Sequence, residues 1–293
     1  MTIGIPWDAT TVTSHGRGCY TATIGEEWVL AMAPQGGVVA AIAARAMAAE
    51  LHVDEGVGQA LRSTHGVFVT PVPAGPVVVD VEVLRRGRSI SQARATVRGA
   101  DATSGYTALA VFGAAREGFA FTEPTYPAVA GPEGLRSFRD PLPPEAGPVD
   151  RGPMPFWEQV IEGRPALGHD FWDPTPRTRA HAANWYRLDH QPIGPDGRLD
   201  PYVSFVFADV MPNAVFERIG PTDRGWFAPS TDLTVHLFGA ASPGWILAEY
   251  RGHLAGDGYA SVEANLWDPR GADGPELVAY ATQQMFFTPF DRP

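Results

Sequence analysis

The chain has 293 residues, of which 44% are hydrophobic and 19% are charged, as is usual for a globular protein. Its formal net charge of −11 argues against nucleic acid and against an anionic membrane surface as partners, because both recruit basic faces. The single cysteine, Cys19, excludes an internal disulfide framework and favours a reducing compartment. The N-terminus lacks a signal-peptide pattern and no apolar run reaches the roughly 18 residues of a membrane span, so we expect a cytoplasmic protein that does not enter a membrane.

The first strong element is a predicted helix from Gln35 to Leu51, which is rich in alanine and carries one basic residue, Arg45, before Glu50. A helix that is apolar on most sides is buried on most sides. Its alanines allow surrounding strands to come close, and the glycine pair at its start allows close approach to a strand or a ligand. We therefore expect a sheet to surround this helix.

Three predicted strands follow the helix. In the first, Val79, Val81 and Val83 alternate with acidic residues, the period of a strand with one buried face. A turn at Arg86-Gly87 leads to a second alternating strand, so the two form a hairpin with one apolar face. A third strand, with the sequence TALAVFG, comes after a turn-forming stretch.

The second half of the chain repeats this plan at a spacing of about 170 residues, which indicates a duplicated domain, because solenoid repeats are roughly 20–50 residues long. The apolar segment VSFVFADVMPNAVFERIG takes the place of the first helix. The strands that match the first half in order are TDLTVHLFG, GWILAEYRGHLAG, YASVEANLW and LVAYATQQMFF. We expect an α+β fold of two curved antiparallel sheets, each wrapped around a central apolar helix.

A proline-rich stretch separates the halves and divides the chain into an N-terminal half (1–115), a connection (116–192) and a C-terminal half (193–293). We expect an irregular connection with short helices around PFWEQVIEG and RTRAHAANWYRL. Its many aromatic residues suggest that it packs on the body of the protein. A connection this long is usually functional or disordered, and a cover over the substrate and a plain scaffold are both open.

An apolar helix that opens with Gly-Gly, precedes several strands and is duplicated in tandem resembles the hotdog superfamily. The order of these helix and strand segments in both halves resembles that of the acyl-CoA thioesterase II family, whose subunit is a double hotdog. This resemblance implies a hydrolase of fatty acid metabolism that acts on acyl-CoA or a related acyl thioester. It also implies a homodimer or larger homo-oligomer and no cofactor. The segments that carry it are GGVVAAIAARAMAAEL, HGVFVTPVPAGPVVVDVEVLRRGRSISQARATV, SFVFADVMPNAVF, PSTDLTVHLFG, GWILAEYRGHLAGDGYA and LVAYATQQMFF.

The resemblance also implies three catalytic residues. In the family an Asp on the second helix, a Thr or Ser before the next strand and a Gln on the last strand hold the reacting water. The matching residues here are Asp209, Ser230 and Gln283, with Gln284 one register away. A buried carboxylate can take a proton from water, while a hydroxyl and a carboxamide can orient that water.

Two residues of this chain differ from the family pattern, and the two halves of the chain differ in their polar residues. Ser230 stands where the family more often has Thr, and Leu233 stands where it often has His. In the first half, the positions that correspond to Asp209 and Gln283 fall near Ala40 and on Gly113, which are not polar. We therefore expect one active site in each subunit.

Residues of the first half are candidates for substrate binding. Free backbone N–H groups at the start of the first helix, from Gln35 through Gly36 to Gly37, are a natural site for an oxyanion. His65 lies in a predicted strand, where it either faces the pocket or has a structural role.

Other functions have less support. The sequence contains no GxSxG, no HExxH and no cysteine cluster, so neither an α/β-hydrolase nucleophile nor a metal site is predicted. Hydration of an enoyl thioester usually needs an Asp and a His on one hotdog, and no such pair is evident. Because Ser230 and Leu233 depart from the family pattern, a non-catalytic acyl-binding protein is the alternative.

Overall fold

The first half of the chain folds into eight strands and one long helix. The computed structural model describes residues 5–53, 58–147, 153–222 and 225–290. The elements of this half are β1 (Thr13–Gly16), β2 (Cys19–Ile24), β3 (Val29–Leu30), β4 (Ala33–Pro34), α1 (Gly36–Glu50), β5 (Gln59–Phe68), β6 (Gly75–Arg85), β7 (Ile90–Gly99) and β8 (Tyr106–Ala114).

The second half repeats the strand order with a divided helix. Its elements are β9 (Ile161–Leu167), β10 (His181–Leu188), α2 (Val203–Ala208), α3 (Pro212–Ile219), β11 (Gly225–Phe227), β12 (Asp232–Leu237), β13 (Ile246–Gly256), β14 (Tyr259–Asp268), β15 (Glu276–Phe286) and β16 (Thr288–Phe290). No helix within the described ranges is long and apolar enough to cross a membrane.

Twelve strands form one antiparallel sheet in the order β1-β2-β6-β7-β8-β5-β12-β15-β14-β13-β10-β9. The strands of each half are therefore contiguous, and β5 joins β12 at the junction between the halves. In that pair Thr64 lies opposite Val235 and His65 lies opposite Thr234. The edge that each half would otherwise expose to solvent is thus paired within the chain.

Helix α1 is buried in the first half, as its composition predicts. It packs against β6, β7 and β8, whose inward residues alternate with outward ones. Ile42 and Met47 are fully buried, and burial of such a side chain contributes about 2 kcal/mol to stability. Arg45, the one basic residue of the helix, forms an ion pair with Asp200 of the second half.

The helical segment of the second half is interrupted at Asp209. This residue caps α2 with a backbone outside the helical region (φ −83°, ψ 34°), and α3 begins at Pro212. Proline has no N–H to continue a helix but fits the first turn of a new one. The interruption turns Asp209 out of the helical repeat and toward the start of α1.

The connection contains more of the sheet than the sequence predicts. Strands β9 and β10 both lie within 116–192, and β10 pairs with β13. The helix predicted around RTRAHAANWYRL is wrong, because residues 181–188 form a strand. The segment PFWEQVIEG does begin with one short helical turn, Phe156–Val160, and then continues as β9.

A second, small core explains the misassigned strand. Ala183 and Trp185 of β10 are buried with Leu247 and Trp267 beneath residues of the connection such as Tyr126. Both faces of β10 are therefore covered: residues 182–186 are all buried, and apolar and polar residues do not alternate along the strand. A short apolar run of this kind cannot be distinguished from a buried helix by its period alone.

Candidate active site

A buried carboxylate marks the place where the two halves meet. Asp209 is nine-tenths buried, and its Oδ2 accepts a hydrogen bond from the backbone N–H of Gly37 at 3.0 Å. Its Oδ1 accepts hydrogen bonds from Gln283 Nε2 at 2.5 Å and from Ser230 Oγ at 3.4 Å. The structure thus brings together the three residues that were expected to hold the reacting water.

Strand geometry decides which of two neighbouring glutamines reaches the carboxylate. Residues along β15 alternate between the two faces of the sheet, so Gln283 is 1% exposed while Gln284 points to solvent. Ser230 lies just before β12, where it forms an isolated bridge with Met285 of β15. This bridge holds the serine beside Gln283, and Ser230 is the partly exposed member of the set.

Opposing influences set the pKa of Asp209. Burial raises it from 3.8 to about 6, because a charged carboxylate loses its hydration inside the protein. Hydrogen bonds from Gln283, the Gly37 N–H, Ser230 and the Gly36 N–H stabilise the ionised form and limit the rise. The result is a carboxyl that is ionised at neutral pH and is still able to accept a proton.

The start of α1 stabilises this carboxylate. Backbone N–H groups at a helix N-terminus and the helix dipole both favour negative charge. Since the Gly37 N–H donates to Asp209, it is not free, which differs from the expectation that it binds an oxyanion. A Cβ on Gly36 would lie 2.9 Å from Asp209 Oδ2, so this position too is in contact with the carboxylate.

Gln35 is a structural part of the site that the sequence did not reveal. Its side chain is buried; Oε1 caps α1 by accepting from the Val38 N–H at 3.1 Å. Its Nε2 donates to the backbone oxygens of Val206 at 3.0 Å and Asp209 at 3.3 Å. One side chain therefore fixes the start of α1 to the end of α2. Glutamine is not among the preferred N-cap residues, so the sequence offered no signal.

His65 lies outside this site, which corrects the prediction that it contributes to substrate binding. It is exposed on the outer face of β5, where its Nδ1 lies 2.7 Å from Thr234 Oγ1. The neighbouring Thr64 and Gly66 face the interior instead. Leu233, which stands where the family often has His, is fully buried in the core.

Tyr106, at the start of β8, is a further polar residue near the carboxylate that the sequence did not single out. It is fully buried, and its ring centroid lies 4.7 Å from that of Phe68. Burial raises its pKa above the ordinary value, and the Asp209 and Asp232 carboxylates raise it further. A tyrosine that opens a strand has no distinguishing sequence signal, because aromatic residues are common there.

Comparison with protein families identifies the chain. Residues 24–113 match the model of the acyl-CoA thioesterase N-terminal domain, and residues 132–287 match that of the acyl-CoA thioesterase C-terminal domain. The chain belongs to the acyl-CoA thioesterase family. The predicted family is therefore confirmed, and with it an enzyme that hydrolyses thioesters. The C-terminal match begins before β9, in agreement with the place of β9 and β10 in the sheet.

Solved structures show the same fold for this thioesterase. A hot dog fold protein of unknown function from Alicyclobacillus acidocaldarius is 23% identical, with a TM-score of 0.74 over 96% of this chain and 97% of that one. The tesB protein of Mycobacterium avium subspecies paratuberculosis (19%, 0.71) and an acyl-CoA thioesterase II from Mycobacterium marinum (19%, 0.66) each match over 96% and 97%. A search of curated proteins found no match.

Proposed function

We propose that this thioesterase hydrolyses acyl-CoA, or a closely related acyl thioester, with water activated by Asp209. The observation that carries the proposal is the convergence of Gln283, Ser230 and the Gly37 N–H on one buried carboxylate with a raised pKa. A structural carboxylate needs only enough hydrogen bonds to offset its burial. The carboxylate of Asp209 also has a pKa that suits proton transfer near neutral pH.

The proposed reaction requires two proton transfers through Asp209 and the displacement of one thiolate. Water attacks the thioester carbonyl carbon while its proton passes to Asp209. The C–S bond then breaks, and the proton moves from Asp209 to the departing thiolate sulfur. Gln283 Oε1 has no hydrogen-bond partner within the described ranges, so it can accept from the attacking water while Nε2 holds Asp209. Ser230 Oγ orients the same carboxylate oxygen.

The proposal includes a double hotdog with one site per chain. In the first hotdog α1 is the central helix, and in the second α2 and α3 together take that place. The matching strand order of the two halves supports this arrangement. Only the second half carries the polar set, and the first half supplies the N–H groups that face it.

We also propose that the enzyme forms a homodimer or a larger homo-oligomer. Apolar side chains are exposed on the outer face of the central strands. Val67 of β5 and Leu109 of β8 are diagonal neighbours there, exposed by 40% and 47%. An exposed apolar patch on a sheet is a common site of self-association.

The decisive experiment replaces Asp209 with Asn, which keeps the size of the side chain but removes the proton acceptor. Loss of a general base costs about 10²–10⁴-fold, so kcat on a panel of acyl-CoAs should fall at least 100-fold. Release of CoA is followed with a thiol reagent. Removal of the buried charge favours folding of the Asn variant, whereas its NH2 group cannot accept from the donors that reach the carboxylate. Its thermal unfolding at pH 7 is therefore measured beside the kinetics to show that it is folded.

The matched control is Asp80→Asn, since Asp80 is an exposed carboxylate paired with Arg98 on the outer surface. This variant should keep the wild-type kcat. Full activity in Asp209→Asn would rule out the assigned base. If the wild-type protein binds acyl-CoAs but releases no thiol from any of them, the chain is an acyl-binding protein instead.

A further inference from the structure

The hydroxyl of one buried tyrosine near the site differs in its hydrogen bonding from those of two other buried tyrosines. Three tyrosines, Tyr106, Tyr186 and Tyr250, are completely buried. The Tyr186 hydroxyl accepts hydrogen bonds from two asparagine side chains, and the Tyr250 hydroxyl donates to the backbone oxygen of Phe207. The Tyr106 hydroxyl has no hydrogen-bond partner in the part of the chain that the structure describes.

An unpartnered buried hydroxyl does not stabilise the fold. Removing such a group from water without a hydrogen bond costs about 1–3 kcal/mol. Phenylalanine would fill the same space without this cost. The hydroxyl of Tyr106 therefore calls for a role outside folding.

The surroundings of Tyr106 place it in the active site. Its ring packs on Phe68, and a Cβ on Gly36 would lie 2.6 Å from Phe68 Cζ and 2.9 Å from Asp209 Oδ2. Phe68 thus connects the tyrosine ring to the carboxylate. The hydroxyl itself lies over Gly66, where a Cβ would be only 2.1 Å away, so this position has room for the hydroxyl because it lacks a side chain.

We propose that Tyr106 is a further catalytic residue, whose hydroxyl donates a hydrogen bond to the thioester carbonyl oxygen and stabilises its developing negative charge. This inference rests on the proposed thioester hydrolysis. The electrons of the C=O π bond move to that oxygen when water attacks and return when the C–S bond breaks. Tyr106 gives up no proton in either step.

Two features support a neutral donor at this point. The Gly37 N–H at the start of α1 is occupied by Asp209, so the carbonyl oxygen requires another donor. Burial and the nearby carboxylates raise the pKa of Tyr106, so its hydroxyl keeps its proton at neutral pH. The first half of the chain would thus contribute a side chain directly to the chemistry.

The test is Tyr106→Phe, assayed on the acyl-CoA that the wild type cleaves fastest. Loss of one oxyanion donor lowers kcat by about 100-fold or more, and KM should stay within about twofold. The midpoint of thermal unfolding should not fall, because no hydrogen bond is lost. Tyr20→Phe is the control: its hydroxyl donates to Glu50 at the far end of α1, and kcat should not change.

Binding of two substrate analogues provides a second readout that a structural role would not affect. A ketone analogue keeps the carbonyl oxygen, whereas a thioether analogue lacks it. Tyr106→Phe should weaken binding of the ketone about tenfold and leave the thioether unchanged. Wild-type kcat in the variant, or equal weakening of both analogues, would overturn the role of Tyr106. Failure of the proposed function would instead show as a wild-type protein that cleaves no thioester.

Discussion

Asp209 accepts protons in a pH range that its surroundings determine. Burial raises its pKa to about 6, and the hydrogen bond from Gln283 is the largest influence that lowers it. The proposed general base, Asp209, accepts a proton only when ionised, so kcat/KM should fall about tenfold per pH unit below about 6. In Gln283→Ala the pKa of Asp209 should be higher, which moves this acidic limb to higher pH.

The neighbouring glutamine offers a matched control for this pH profile. The side chain of Gln284 is exposed on the other face of β15, so Gln284→Ala should leave the acidic limb at about pH 6. Hydrolysis is followed by loss of thioester absorbance, which does not depend on thiol chemistry at low pH. An acidic limb that stays in place in Gln283→Ala would contradict the role of this amide.

Sequence patterns located some residues of the site and missed others for identifiable reasons. Asp209, Ser230 and Gln283 were predicted because the resemblance to the acyl-CoA thioesterase II family implies a polar residue at each of these positions. The sequence left His65 open between the pocket and a structural role, because a single strand residue does not show which face of the sheet is outward; the structure places it on the outer face beside Thr234. Tyr106 escaped notice because only the tertiary structure brings β8 to the carboxylate.

The site depends on the close contact between helices α1 and α2. A Cβ on Gly37 would lie 2.3 Å from the backbone oxygen of Phe205, so the two helices approach closely only because this residue is glycine. Gly37→Ala should lower the free energy of unfolding by about 1–3 kcal/mol, the usual range for overpacking. It should also lower kcat, since the N–H that holds Asp209 moves with α1.

Chemical denaturation and steady-state kinetics on the same preparation test this crossing. Gly118→Ala is the control, because a Cβ there meets nothing within 4 Å and its free energy of unfolding should change by less than about 0.5 kcal/mol. A Gly37→Ala variant with wild-type stability and kcat would show that the helices can separate without cost.

The order of α1 and the strands after it, and its repeat in the second half, was predictable, while the strands before α1 and those of the connection were not. Alternating strands such as β6 and β7 have one solvent-facing side and so show their period in the sequence. β10 is covered on both faces, by the core on one side and by the connection on the other. Residues 182–186 are therefore all buried, and the alternation that would reveal a strand is missing. The expectation that the aromatic residues of the connection pack on the body holds for Phe156, Trp185 and Tyr186, which are buried, but not for Phe119 and Phe121, which are exposed.

At the scale of the whole molecule, the two halves share one sheet and one site. Strand β5 pairs with β12, Arg45 forms an ion pair with Asp200, and Gln35 holds the end of α2. Each of these links crosses between the halves. We therefore expect the halves to unfold together, although each contains its own helix and strands.

Calorimetry should show a single unfolding transition whose measured enthalpy equals the van't Hoff enthalpy. Activity should be lost over the same range of denaturant concentration in which tryptophan fluorescence reports unfolding, because the proposed site needs both halves. Gln35→Ala breaks the link to Val206 and Asp209 and leaves buried carbonyls without this donor. The free energy of unfolding should fall by about 2 kcal/mol, and the single transition should move to a lower temperature without dividing. Gln159→Ala, at an exposed position, should not shift it. Two separate transitions in the wild type would show that the shared sheet does not couple the halves.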